Sequence, residues 1–202
     1  MFLEPLHPVG HHPAEFPVRY FVGSGVIHLV KSGVIHSGWI GAGPSRQCRP
    51  DIAGGRDQLH TDEQLAFHIH AHLAIYVNGA PKLLPPGIGI GPPLQFEQTS
   101  SGPSVASGSC FSWLHTHDSS GVVHIESPIQ SVYTLGDFFD IWGQPLSATQ
   151  VGPAQGPVTA TVNGNPFTGD PRGIPLDAHN VIQLDVGSAL PPPQPYTFSA
   201  GL

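Results

Sequence analysis

The chain has 202 residues, only 10% of them charged, and 14 acidic against 7 basic residues give a net charge of −7. With no Lys/Arg run, nucleic acid and anionic membrane surfaces are poor partners, and no apolar stretch is long enough for a transmembrane helix. The 25 glycines and 23 prolines, and the lack of helical runs of Ala, Leu, Glu and Lys, predict a mainly β fold. The expected architecture is a set of antiparallel β-hairpins forming a sandwich or barrel-like domain with one short helix. Length predicts one core-bearing domain with appendages: a poorly defined N-terminal segment (1–61), a histidine-rich β domain (62–188) and a Pro-rich tail (189–202).

Residues 1–45 show no basic stretch followed by an apolar one, so no signal peptide is visible in the chain as written. They carry a tandem, Ser24-Gly25-Val26-Ile27-His28 and Ser32-Gly33-Val34-Ile35-His36, that reads as a hairpin or a simple duplication. His7, His11, His12, His28 and His36 have no spacing related to the later histidines and read as solvent residues. Cys48 and Cys110, the two cysteines, are expected to form a disulfide in an oxidising compartment; the alternative is two unrelated buried thiols.

The segment Phe67–Val77 alternates. Phe67, Ile69, Ala71, Leu73, Ile75 and Val77 would share a core face, leaving His68, His70 and His72 in a row on the other. Asn78-Gly79 then signals a tight turn, and Asn163-Gly164 repeats it downstream. The Ser- and Gly-rich stretch from Gln95 to Gly108 reads as a mobile loop over the mouth of a site.

Leu114 to Glu126 reads as a second hairpin turning at Asp118-Ser119-Ser120-Gly121. A four-residue turn pairs His115 with His124 and His117 with Val122, so that Trp113, His115, His117, His124 and Glu126 share a face. A three-residue turn would slip the register and mix the faces. Beyond it, Thr134 should cap a helix over 135–142 with Asp137 at its third position and Gly143 ending it. A final strand covers 181–187, His179 precedes it as a loop residue, and the tail reads as an extended spacer.

Two histidine clusters in so weakly charged a chain point to a metal site rather than to decoration of a wet sheet face. His68, His70, His72, His115, His117 and His124 are the expected ligands, and the ion is expected to be a transition metal, copper or zinc. Whether the two clusters share one ion or hold two stays open. Glu126 and Asp118 are the candidates for proton transfer if the site is catalytic.

The motifs His-x-His-Ala-His-Leu-Ala-Ile-Tyr-Val-Asn-Gly, Leu-His-Thr-His-Asp-x-x-Gly-Val-Val-His-Ile-Glu-Ser-Pro and Tyr-Thr-Leu-Gly-Asp-Phe-Phe-Asp-Ile-Trp-Gly-Gln-Pro-Leu resemble those of small histidine-rich exported proteins of bacteria and archaea. The resemblance covers roughly residues 62–187. It implies an extracytoplasmic (periplasmic or secreted) setting and carries the six histidines and Glu126 as motif positions, but no activity. A cupin's ligand spacing does not accommodate the separate His68–His72 triplet, and the His-x-His-x-Asp-His motif of metallo-β-lactamase-like lactonases is missing.

Two function classes follow. The first is a protein that binds copper or zinc for sequestration or delivery. The second is a metal-dependent enzyme on a three-histidine site, either a hydrolase of esters or lactones or a cupin-like oxidoreductase, with a small-molecule substrate. A structural domain stiffened by metal is the blander third.

Overall fold

The computed structural model describes residues 60–202 and, nearer the N-terminus, four two-residue strands. Those strands lie in a compact unit, Met1–Ser37, separate from Gly38–Leu202. In the first unit β1 (Val22–Gly23) pairs with β2 (Val26–Ile27), and β3 (Val30–Lys31) with β4 (Val34–Ile35), each antiparallel. The Val26-Ile27 and Val34-Ile35 steps of the tandem each close an antiparallel strand pair, and the residues between the paired strands lie outside the described residues. His7, His11, His12, His28, His36 and Cys48 lie outside the described residues. The expected Cys48–Cys110 pairing therefore involves a residue outside those described; Cys110 itself is buried.

In the second unit the elements are β5 (Phe67–Val77), β6 (Ala80–Lys82), β7 (Gln95–Thr99), β8 (Gly102–Ser107), β9 (Leu114–His115) and β10 (Val122–Ser127). Helix α1 (Leu135–Trp142) follows, then β11 (Leu146–Ser147), β12 (Gln150–Val151), β13 (Ala154–Gln155), β14 (Val158–Val162), β15 (Asn165–Phe167) and β16 (Val181–Val186). The main sheet runs β15-β14-β16-β5-β10-β9, with β6 folded onto the end of β5. All its pairings are antiparallel except β16 with β5, which is parallel. Among the described residues the fold is mainly β with one α-helix, as expected, but the sheet stays open. β9 and β15 are its two ends, so the barrel alternative is set aside.

The alternation in β5 sets which face is core. Ala71, Leu73 and Ile75 are fully buried and meet Val123 and Ile125 of β10 and Ile182, Leu184 and Val186 of β16. Helix α1 covers this face with Leu135, Phe138, Phe139 and Trp142. Truncating Phe138 or Phe139 to Ala would cost about 3–5 kcal/mol. The helix starts where expected: the Asp137 amide donates to Thr134 Oγ1 at 3.3 Å, the Thr134 amide to Asp137 Oδ2 at 2.9 Å, and Gly143 closes the far end in the left-handed conformation. Asp140 is paired with Arg172 at 2.7 Å, so the helix acids have structural partners.

Asn78 and Asn163, at φ of 50° and 51°, each open a tight turn with the following glycine, giving the β5–β6 and β14–β15 hairpins. The expected mobile loop over 95–108 is instead a β-hairpin, β7–β8. Its Ser and Gly content hides a usable strand pattern in which Phe96 faces Val105.

The opposite face of the sheet is not left to solvent either. Gln183 Oε1 accepts the Gln194 amide at 2.9 Å and Gln183 Nε2 donates to the Pro191 carbonyl at 3.3 Å, which lays the Pro-rich tail across β16. Tyr196 stacks on His72, with ring centroids 3.7 Å apart, and Phe198 stacks on His179. The tail is a strap rather than a spacer, because its aromatic rings find partners on this face.

Candidate metal centre

The site is built by register. In the antiparallel pairing of β10 with β5, His124 lies opposite His70 and Glu126 opposite His68. On its other edge β10 places His124 opposite His115 of β9. Residues directly opposite in adjacent strands point to the same side, so His70, His124 and His115 form one row across three strands, with His68 and Glu126 one step along. The expected pairing of His115 with His124 holds. His117 does not pair with Val122: β9 ends at His115, and the chain turns away to bond with Ile88 and with β8.

That departure has a local cause. Gly87 donates to the Thr116 carbonyl, Thr116 to Ile88 and Ser112 to Gly89, so the Gly87–Ile90 segment runs beside residues 112–116. A side chain at Gly89 would run into the Leu114 carbonyl and crowd His115 Cβ, and its φ is 74°. Only glycine lets this backbone press against the strand that carries His115.

Two backbone carbonyls orient the rings. His115 Nδ1 lies 2.9 Å from the Ser112 oxygen, and His117 Nδ1 lies 2.6 Å from the Val105 oxygen. A carbonyl only accepts, so both Nδ1 atoms carry a proton, and in the neutral rings both Nε2 atoms present lone pairs. Those Nε2 atoms stand 3.1 Å apart. On the other flank His68 Nε2 and His70 Nε2 are 2.9 Å apart. Glu126 lies between: Oε1 is 2.9 Å from His68 Nε2 and 3.3 Å from His124 Nδ1, while Oε2 is buried, accepts no hydrogen bond and lies 3.8 Å from His115 Nε2.

Burial grades from floor to mouth. His115 is 0% exposed, Glu126 3% and His70 4%, against 36% for the His68 side chain and 33% for Glu63 at the open end. Burial, reinforced by His124 and His117, pulls the His115 imidazole down to about 3; burial with His124 and His68 pulls His70 down to about 4. His124 is lowered by burial, partly offset by its hydrogen bond to Glu126. Burial pushes the Glu126 carboxyl up, but the His124 hydrogen bond and the neighbouring His115, His68 and His124 outweigh it, so it lies below the ordinary carboxylate range. The floor of the site is thus two neutral imidazoles beside a carboxylate, the protonation state a metal requires.

Five of the six expected histidine ligands come together, with Glu126. They fall into two sets, His68, His70, His124 and Glu126, and His115, His117, His124 and Glu126, and within each set the ligand atoms lie within 4.8 Å of one another. His72 is not among them. It belongs to the same strand face, but its Nε2 donates to the Ser120 carbonyl at 3.0 Å and its ring is held by Tyr196. Asp118, expected as a proton carrier, accepts the Ser120 amide at 2.8 Å and shapes the turn. Trp113, expected on the ligand face, is in the main core against Tyr133. His179 is bonded to the Leu202 carbonyl at the tail.

One residue escapes the pattern. Glu63 Oε1 lies 3.4 Å from His117 Nε2, and burial together with Glu126 raises its carboxyl above the ordinary value. It precedes β5 and has no periodic relation to either cluster; an acid five residues ahead of His68 was the only available signal. No helix among the described residues is long and apolar enough to cross a membrane. No protein-family model, curated protein or solved structure matches the chain, so what the site can do rests on its own geometry.

Proposed function

We propose that this protein binds a divalent transition metal, zinc or copper(II), through the histidines of β5, β9 and β10 together with Glu126. The observation that carries this reading is the pair of Nε2 lone pairs of His115 and His117, facing each other at 3.1 Å with both Nδ1 protons committed to carbonyls. Between neutral rings such an arrangement is repulsive unless a cation is shared, and backbone carbonyls that accept the other N–H of each imidazole are a usual outer shell of a metal site. The donors are imidazole and carboxylate with no thiolate or thioether among them, which suits zinc or copper(II) and disfavours copper(I).

The mouth formed by His68, His117 and Glu63 is solvent-accessible, and this supports a second reading in which a bound ion keeps an open position for water and hydrolyses small esters or lactones. The motif resemblance and the proposed Cys48–Cys110 disulfide support an extracytoplasmic setting. The test is metal content after chelation, reloading with zinc or copper and exhaustive dialysis. Wild type should retain metal, and a variant carrying His124→Ala with Glu126→Gln, which removes the residues common to both ligand sets, should retain none. A wild type that takes up neither ion, or a double variant that binds as well as wild type, would refute the proposal.

A further inference from the structure

Resting on that metal-binding reading, the geometry points to a centre for two ions rather than one, bridged by the Glu126 carboxylate. Two ligands of one ion, each at about 2.1 Å, can be separated by no more than about 4.2 Å. The ligand atoms of the cluster satisfy close mutual approach only within two sets, one built on His68 and His70 and the other on His115 and His117. A single ion therefore uses one histidine pair and leaves the other without a cation; for His115 and His117, whose Nδ1 protons are both committed to carbonyls, that leaves two ring nitrogens facing each other at 3.1 Å.

Glu126 is placed between the pairs. Oε1 is on the side of His68, at 2.9 Å, and Oε2 is on the side of His115, at 3.8 Å. Each oxygen thus serves a different pair, the arrangement in which a carboxylate spans two ions about 3.5–4 Å apart. The orphaned state of Oε2, buried and accepting no hydrogen bond, is what the second ion would resolve. His124 belongs to both sets, and Glu63 stands next to His117 on the β9 side. Two carboxylates then face two divalent ions, which lessens the repulsion between the ions. A pair so placed, open to solvent on the His68 and Glu63 side, takes a bridging water or another small oxygen ligand between its ions.

The test uses the full chain, stripped with chelator and titrated with Zn²⁺ alone, with stoichiometry read by native mass spectrometry. Wild type should bind two ions per chain. His68→Ala with His70→Ala, and separately His115→Ala with His117→Ala, should each bind one while keeping the wild-type circular dichroism spectrum. One ion in wild type would overturn the two-ion centre and leave metal binding standing; none would overturn both. Two ions retained by either folded double variant, or none, would also overturn it, because the second ion would lie elsewhere or the sets would not be separate. Should those variants not fold, Cu²⁺-loaded wild type decides: bridged ions couple, giving an electron-spin count well below total copper, whereas a full spin count overturns the bridge.

Discussion

His115 Nε2 and His117 Nε2 stand 3.1 Å apart, with neither ring free to turn away because each Nδ1–H is held by a backbone carbonyl. The fold thus holds two like dipoles together, and a bound cation should return that cost as stability. At a hundredfold excess of ion over Kd the gain is about 2.7 kcal/mol, which for a chain of this size is a rise in Tm of about 5–10 °C. The expectation is that zinc raises Tm by that order in wild type and by clearly less in His115→Ala with His117→Ala. Equal shifts in the two proteins, by differential scanning calorimetry, would contradict it.

The metal-free protein should be acid-sensitive in a defined window. His115 and His70 are held down to about 3 and about 4 against an ordinary 6.5, so between those values the unfolded chain binds protons that the native chain refuses. Stability then rises with pH across that window: it is fully present above 6.5 and is lost as pH falls toward 4 and 3. Thermal unfolding of the metal-free chain from pH 7.5 to 4 should show Tm falling below about 6.5, and His70→Asn should flatten the slope. A Tm independent of pH in this range would argue against buried neutral histidines.

The centre of the site was legible from period alone. Alternation in β5 and β10 dictates which side chains share a face, and pairing His115 with His124 follows from a turn that keeps the faces unmixed. What alternation does not supply is where the row of ligands stops. His72 shares the face of His68 and His70, but β10 sets Val122 opposite it rather than a histidine or an acid. Glu63, the hairpin that fixes His117, and the strap at Tyr196 are contacts between segments far apart in sequence or without repeat, and each depends on tertiary packing. Composition misled at 95–108 for the same reason, since Ser and Gly there are compatible with a hairpin once β8 has His117 to bond.

His72 should therefore separate cleanly from the ligands. Its ring is clamped between the Ser120 carbonyl and Tyr196. His72→Asn should leave metal stoichiometry unchanged, and Tyr196→Ala should lower stability by about 1–2 kcal/mol, the scale of a lost aromatic contact with partial burial, again at full metal content. Elemental analysis and urea unfolding of the two variants check this. Loss of metal in His72→Asn would place His72 inside the site.

Gly89 offers a way to disturb the centre without touching a ligand. Its φ of 74° and the Leu114 carbonyl against it leave no room for a methyl group, and His115 Cβ is the next atom in line at 3.0 Å. Gly89→Ala must either strain the left-handed backbone, at about 1–3 kcal/mol, or push the Leu114–His115 strand outward. The second response moves His115 relative to His124, its partner across the pair, and opens the set that includes His117. Metal affinity should fall at least tenfold on that side, while the His68 and His70 pair, carried by a strand that Gly89 does not touch, keeps its ion. Zinc titration of Gly89→Ala by calorimetry should show one weakened and one unchanged binding event. Uniform weakening of both would mean that the three strands move as one body and that β9 is not independently positioned.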